Sequence, residues 1–245
     1  MASHPIVKAM ITAILLFTLL VACQTRTHQG TKEPNSTQTS LAQATEETSN
    51  KTIIYGELKI EEKSDYIMIP VTLSENSDNK DSLFRNPSSY EYDRKEFFDN
   101  LIFYRKQDGT SHLLLNKPAK ITSFETLEKK EAGKPSTYFF LYKIIEADTN
   151  ADKKIGYEDA TIGYLSDLSG KNLQQITPNN AQMLNWVIVQ SIKSMFVKII
   201  KDSNRDQKFT EIDETTYIKV NLDSPSIGTE IISDDMKKQI KSIGK

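Results

Sequence analysis

The sequence predicts a mainly β fold, built of antiparallel meanders and closed by a short C-terminal helix. Three observations predict it. From residue 51 onward the chain is a succession of short runs rich in β-branched and aromatic residues, separated by Asn, Asp, Gly, Ser and Pro. Two acidic stretches of twelve residues, 148–159 and 202–213, start 54 positions apart, each between two such runs. Around them the order strand, acidic loop, strand, turn, short strand occurs twice.

The first 22 residues stand outside this fold. Lys8 supplies a positive charge and 11–22 is a short apolar run, the size of a signal-peptide core rather than a membrane-spanning helix. It ends in Leu20-Val21-Ala22-Cys23, which resembles the lipobox of bacterial lipoproteins. The resemblance implies cleavage before Cys23, acylation of Cys23, and a membrane as partner through two or three acyl chains, enough for stable anchoring. It places the protein in the bacterial cell envelope. Gln24, where an Asp favours retention in the inner membrane of enteric bacteria, points to the outer membrane. Cys23 is the sole cysteine, so no disulfide framework competes for it. Residues 24–50 are mostly Thr, Gln, Ser and Glu and cannot bury enough apolar surface to offset the entropy of ordering. They read as a tether reaching roughly 30 Å.

The β runs then follow in order. Residues 52–60 and 66–73 are two strands, and 74–92 a polar loop containing Pro87. Residues 100–104 and 111–115 flank Gln107-Asp108-Gly109, a hairpin signal. The charged segment 123–132 fits either a short helix or an exposed hairpin. Residues 138–146 are apolar and aromatic and lead into the first acidic loop; 160–165 leave it, Asp167-Leu168-Ser169-Gly170 turns, and 172–176 is the next strand. Residues 184–191 and 195–201 are two more strands, the latter feeding the second acidic loop, and 215–222 comes out of it. Residues 233–243 predict a helix: Ser233 caps it, Met236, Ile240 and Ile243 recur at helical spacing, and Gly244 follows. The organisation is a signal over 1–22, a lipidated Cys and tether over 23–50, an N-terminal β region over 51–136, and a two-repeat β region over 137–245.

The acidic loops carry the chemistry. The first reads Asp-Thr-Asn-Ala-Asp-Lys-Lys-Ile-Gly-Tyr-Glu-Asp and the second Asp-Ser-Asn-Arg-Asp-Gln-Lys-Phe-Thr-Glu-Ile-Asp. Oxygen ligands at loop positions 1, 3 and 5 and a carboxylate at position 12 resemble the EF-hand calcium loop, because a hard cation wants six to eight oxygens and a tightly turning loop aims alternate side chains at one point. The candidate ligands are Asp148, Asn150, Asp152, the carbonyl of Lys154 and Asp159, then Asp202, Asn204, Asp206, the carbonyl of Lys208 and Asp213, for up to two Ca2+ ions. Position 8, apolar in such loops, is Ile155 and Phe209. Two features depart from the pattern. Position 6, where Gly makes the turn, is Lys153 and Gln207, and position 12 is the shorter Asp. The flanking residues alternate as strands do, without the amphipathic helices of an EF-hand pair, so the loops are expected as inserts between strands that lock a connection.

Within the repeat, Tyr142 falls on Phe196, Ile145 on Ile199, Asp167 on Asn221 and Leu168 on Leu222. The segment 162–178, with its strand, Asp-x-x-Gly turn, short strand and Ile176-Thr177-Pro178, resembles the WD40-like propeller repeat of Tol-type envelope proteins. That resemblance implies meanders like propeller blades, of which about 195 residues allow at most four.

The sequence excludes some functions. Thirty-one basic against 33 acidic residues, with no basic stripe, is no balance for nucleic acid. Of three histidines only His112 lies in the β region, and neither a nucleophile elbow nor a phosphate-binding Gly-rich loop is present. Trp186 and the aromatics Tyr138, Phe139, Phe140 and Tyr142 fit a sugar platform or, more commonly, a β core. The reading is a non-enzymatic calcium-binding envelope lipoprotein acting as a binding or structural module on an envelope protein or a glycan. The alternative is an envelope hydrolase or carbohydrate-binding accessory protein with structural calcium.

Overall fold

Three antiparallel meanders follow one another along the chain in the computed structural model, which describes residues 51–75 and 97–244. The expected signal, Cys23, the tether and all but the start of the 74–92 loop lie outside the described residues. The first sheet holds β1 (Lys51–Tyr55), β2 (Lys59–Ile60), β3 (Tyr66–Glu75), β4 (Asn100–Arg105) and β5 (Ser111–Leu113), in the order β1-β3-β4-β5 with β2 also on β3. The second holds β6 (Lys120–Lys129), β7 (Thr137–Ile145), β8 (Ile162–Ser166) and β9 (Gln174–Gln175) in chain order. The third holds β10 (Ala181–Val189), β11 (Ser194–Lys201), β12 (Glu214–Asn221) and β13 (Thr229–Glu230), again in chain order. The helix α1 (Asp234–Ile243) ends the fold.

Mainly antiparallel β structure with one C-terminal α-helix is thus what the described residues form. The run 52–60 breaks at Gly56, whose N–H donates to Pro70 O at 2.9 Å. Pro70 sits where β3 passes from its pairing with β1 to its pairing with β2, so its missing N–H leaves no gap in a ladder. The β4–β5 hairpin closes where expected, with Gly109 at φ 75° and Arg105 N donating to Thr110 O at 2.8 Å. The segment 123–132 is strand and turn, not helix. From Ser123 to Lys129 it pairs with β7; Leu127 and Lys129 are buried on one face and Phe124 and Glu128 half-buried on the other, while Glu125 and Thr126 are exposed. At α1, Ser233 Oγ accepts the N–H of Met236 at 3.2 Å, the cap the sequence predicts.

Two cores lie between the sheets. Met68, Leu101, Phe103 and Leu114 of the first meander pack with Ile121, Phe140, Tyr142 and Tyr164 of the second. Leu127, Leu141, Leu165 and Ile176 of the second pack with Met183, Met195, Val197 and Ile218 of the third. The second sheet is therefore covered on both faces, which is why β7 reads Thr-Tyr-Phe-Phe-Leu-Tyr-Lys-Ile-Ile with hardly any alternation. The Asp-x-x-Gly turn ties the first two sheets together. Asp167 Oδ1 accepts the N–H groups of Ser169 and Lys171, and Gly170, at φ 76°, lies against the ring of Phe103. Beside it, Ser64 Oγ donates to Leu168 O at 2.7 Å.

Candidate metal centre

The two acidic loops occupy equivalent places, one joining β7 to β8 and the other β11 to β12. Both fold by the same pattern of hydrogen bonds, although their residues agree at only five of twelve positions. At position 1, Asp148 accepts the N–H of Asp152 (3.1 Å) and of Lys153 (2.7 Å). Asp202 likewise accepts Asp206 N (3.0 Å) and Gln207 N (3.2 Å). At position 3, Asn150 Oδ1 and Asn204 Oδ1 accept the N–H of position 5, each at 3.0 Å. At position 5, Asp152 and Asp206 accept the N–H of position 7, from Lys154 at 2.8 Å and Lys208 at 2.9 Å. These are short Asx-type contacts, in which an acidic or amide side chain accepts amides ahead of it and curls the chain.

The missing glycines do not prevent this path. Lys153 (φ 69°) and Gln207 (φ 65°) adopt the left-handed conformation that position 6 demands. Position 4 does the same in both loops, at Ala151 (φ 63°) and Arg205 (φ 61°). A side chain in this region costs about 1 kcal/mol or more. At position 6 the conformation is held by Asp148 and Asp202, which accept the N–H groups of Lys153 and Gln207.

Position 12 is a brace. Asp159 is 1% exposed and Asp213 6%, against exposed carboxylates at position 5. Asp159 Oδ1 accepts Thr149 N at 2.7 Å, and its Oδ2 accepts Gly156 N at 2.8 Å. Asp213 Oδ1 accepts Ser203 N at 3.0 Å, and its Oδ2 accepts Thr210 N at 2.9 Å. The short Asp side chain thus ties positions 2 and 9 together across the loop. These amides, with that of Thr210 foremost, hold the Asp213 carboxyl below the usual carboxylate range. The hydroxyl of position 2 extends the brace: Thr149 Oγ1 accepts Ala160 N at 2.9 Å and Ser203 Oγ accepts Glu214 N at 3.1 Å. The metal-ligand spacing does not include these hydroxyls; Thr and Ser at position 2 are their signal in the sequence.

The loops are neighbours. Asn150, Asp152, Tyr157 and Glu158 of the first share a cleft of about 470 Å3 with Lys208, Phe209 and Thr210 of the second. Phe209 packs on the core between the first two sheets, and the ring of Tyr157 stacks on Phe97 at 3.9 Å. Among the described residues, no three His, Cys, Asp or Glu side chains stand together as a metal-ligating group. Each loop instead offers two carboxylates, an amide oxygen and a backbone carbonyl, while both oxygens of the position-12 carboxylate accept amides of the loop. That is a hard, all-oxygen set, which fits calcium and does not fit a metal that prefers nitrogen or sulfur.

The other candidates fall elsewhere. Phe140 and Tyr142 are core residues and cannot serve a surface platform. Trp186 Nε1 donates to Glu125 Oε1 at 3.0 Å, and the Tyr138 hydroxyl donates to Glu128 at 2.9 Å. His112 is half-buried, stacked on Phe103 with ring centres 5.6 Å apart. Cys23 lies outside the described residues. Compared with protein-family models, with curated proteins and with solved structures, the chain finds no match.

Proposed function

We propose that this chain is a calcium-binding lipoprotein of the bacterial cell envelope, anchored through Cys23 and acting as a binding or structural module. One observation carries the metal half of the reading. Two loops of different sequence reproduce one hydrogen-bond pattern, with four non-glycine residues at positive φ, around the same Asp, Asn and Asp. Asp148, Asn150, Asp152 and the carbonyl of Lys154 hold one ion; Asp202, Asn204, Asp206 and the carbonyl of Lys208 hold the other. Asp159 and Asp213 complete each set while bracing the amides of positions 2 and 9. The ion supplies positive charge where several carboxylates repel one another, so it couples to folding of the loop. Neither loop is flanked by helices, so binding rigidifies a connection between strands and opens no groove. An affinity on the order of 10⁻⁴–10⁻³ M, that of extracellular modules, suits such a site.

The finer architecture belongs to the same proposal. Each meander ends in a short outer strand, and successive meanders pack face to face, which supports reading them as three propeller-like blades. The anchor rests on Leu20-Val21-Ala22-Cys23 and the polar tether after it.

The test has two arms. Melting of the metal-stripped full chain is followed with and without millimolar calcium, with magnesium as the comparison ion. The proposal expects a higher melting temperature in calcium that Asp148→Ala plus Asp202→Ala abolishes; no shift refutes the metal reading. Cys23→Ser is expected to release the protein from membranes and end palmitate labelling; a variant that stays membrane-bound and labelled refutes the anchor.

A further inference from the structure

The two ends of the three-sheet array differ in chemistry. The third sheet has one buried face and one mixed face, on which two lysines and an asparagine stand among Val187, Phe196 and Tyr217. The strand β12 alternates strictly, and its outward residues pair into the rows Asn185-Lys198-Tyr217 and Val187-Phe196-Lys219. Two lysines and an asparagine on that face suit water, as the terminal unit of a repeat array requires.

The first sheet does not alternate. Its β3 begins Tyr-Ile-Met-Ile-Pro-Val and its β4 reads Asn-Leu-Ile-Phe-Tyr-Arg, apolar at consecutive positions like the doubly covered β7. Met68, Leu101 and Phe103 point into the core shared with the second sheet. The opposite face carries the rows Ile53-Leu73, Ile69-Ile102-Leu113 and Ile67-Tyr104. Its side chains are exposed: Ile53 54%, Tyr55 61%, Leu113 55%, Tyr104 40% and Leu73 38%. An open groove of about 560 Å3 runs along it, lined by Ile53, Tyr55, Leu73 and Leu113 together with the charged Lys51, Asp99 and Lys117.

The exposed apolar area of this face is on the order of 500 Å², at the upper end for a monomer. That is roughly two thirds of the ~800 Å² per partner of a standard stable interface, the size of a contact that dissociates on dilution. A sheet with both faces apolar is built to lie inside a stack, and among the described residues a cover is supplied for one face only. We propose that the cover is the same face of a second copy, giving a two-fold dimer in which the first sheets pack back to back. The occupant follows from the chemistry of the two ends. Head-to-tail stacking of first sheet on third would bury Lys198 and Lys219 against isoleucine and leucine without partners. The self-complementary apolar face avoids that, and an isologous contact closes at two copies.

Sedimentation equilibrium of the purified full chain in density-matched detergent tests this, with the double variant Ile53→Glu, Leu113→Glu beside the wild type. The expected result is a dimer that dissociates on dilution, and a double variant that is monomeric at every concentration with an unchanged near-UV spectrum. Val187→Glu, on the outer face of the third sheet, is expected to leave the dimer intact. A photo-crosslinking residue in place of Tyr55 provides a second readout that needs no destabilising change, and is expected to link to peptides of the first sheet of another copy. A wild type that is monomeric up to about 100 µM overturns the proposal, as does a dimer indifferent to the double variant. So does a Tyr55 cross-link confined to lipid, to the third sheet or to another protein.

Discussion

Replacing Gly170 with Ala tests how the first two sheets are joined, and Gly133 supplies its control. Both glycines have φ 76°. At Gly133 an added Cβ meets nothing within 4 Å, so Gly133→Ala bears only the left-handed backbone cost, about 1 kcal/mol. At Gly170 the same atom would stand 2.4, 2.6 and 2.6 Å from three carbons of the Phe103 ring. That ring is 0% exposed and packed between the sheets, so it cannot swing into solvent. Overpacking a closed core adds about 1–3 kcal/mol, giving about 3 kcal/mol in all. The assay is urea unfolding followed by tryptophan fluorescence, at fixed calcium. With a slope of about 2 kcal/mol per molar, the midpoint falls by about 1.5 M for Gly170→Ala and about 0.5 M for Gly133→Ala. Phe103→Leu in the Gly170→Ala background should recover part of the loss, a coupling that the double-mutant cycle isolates. Equal midpoints for the two alanine variants, or no coupling with residue 103, would refute the docking of this turn on the first sheet.

Three further outcomes are expected. In chelator, Asp159→Ala should lower the melting temperature by about 6 °C, because a buried brace of two amides is lost even without metal; exposed Asp152→Ala should change it by less than about 2 °C. Lys153→Gly and Gln207→Gly should each relieve about 1 kcal/mol of backbone cost and tighten calcium, read as a higher melting temperature without metal and a lower dissociation constant with it. Glu131 accepts both Lys134 and Lys193 at 2.8 Å, and these cations hold its carboxyl at about 2 against an ordinary 4.5. Its contribution to stability is complete above pH about 4.5 and disappears as pH falls toward 2, so Glu131→Gln should lower stability at neutral pH, flatten the acid limb of the stability profile in that window, and converge with the wild type near pH 2.

Much of this fold was legible in the sequence because its signals are local. Ser233 marked the helix start, Asp108-Gly109 the hairpin, and the run 138–146 a strand, since each depends on residues within a few positions. The segment 123–132 was not decided by its own residues; the pairing of Phe124, Leu127 and Lys129 with β7 fixes it as strand, and no short-range pattern encodes that. The order of the acidic loops along the chain was plain, yet their adjacency across one cleft is a property of sheet packing. Lys153 and Gln207 looked like obstacles because local preference disfavours positive φ. They take it because Asp148 and Asp202 accept their N–H groups, so a neighbouring side chain overrides the intrinsic preference. Asp at position 12 looked like a shortened ligand, and its length is what lets it reach the amides of positions 2 and 9. The free apolar face of the first sheet was present in the lack of alternation in β3 and β4. It acquires meaning only beside the strict alternation of β12.

The measurement that bears most directly on the calcium reading is calorimetric titration of the metal-stripped full chain with calcium, for the wild type, Asp148→Ala, Asp202→Ala and the double variant. The account predicts two ions per chain for the wild type, one for each single variant and none for the double variant. No heat in the wild type up to several millimolar calcium, or heat that survives in the double variant, would contradict it. The acidic loops would then be hydrogen-bonded turns that shape the β7–β8 and β11–β12 connections and bind no metal.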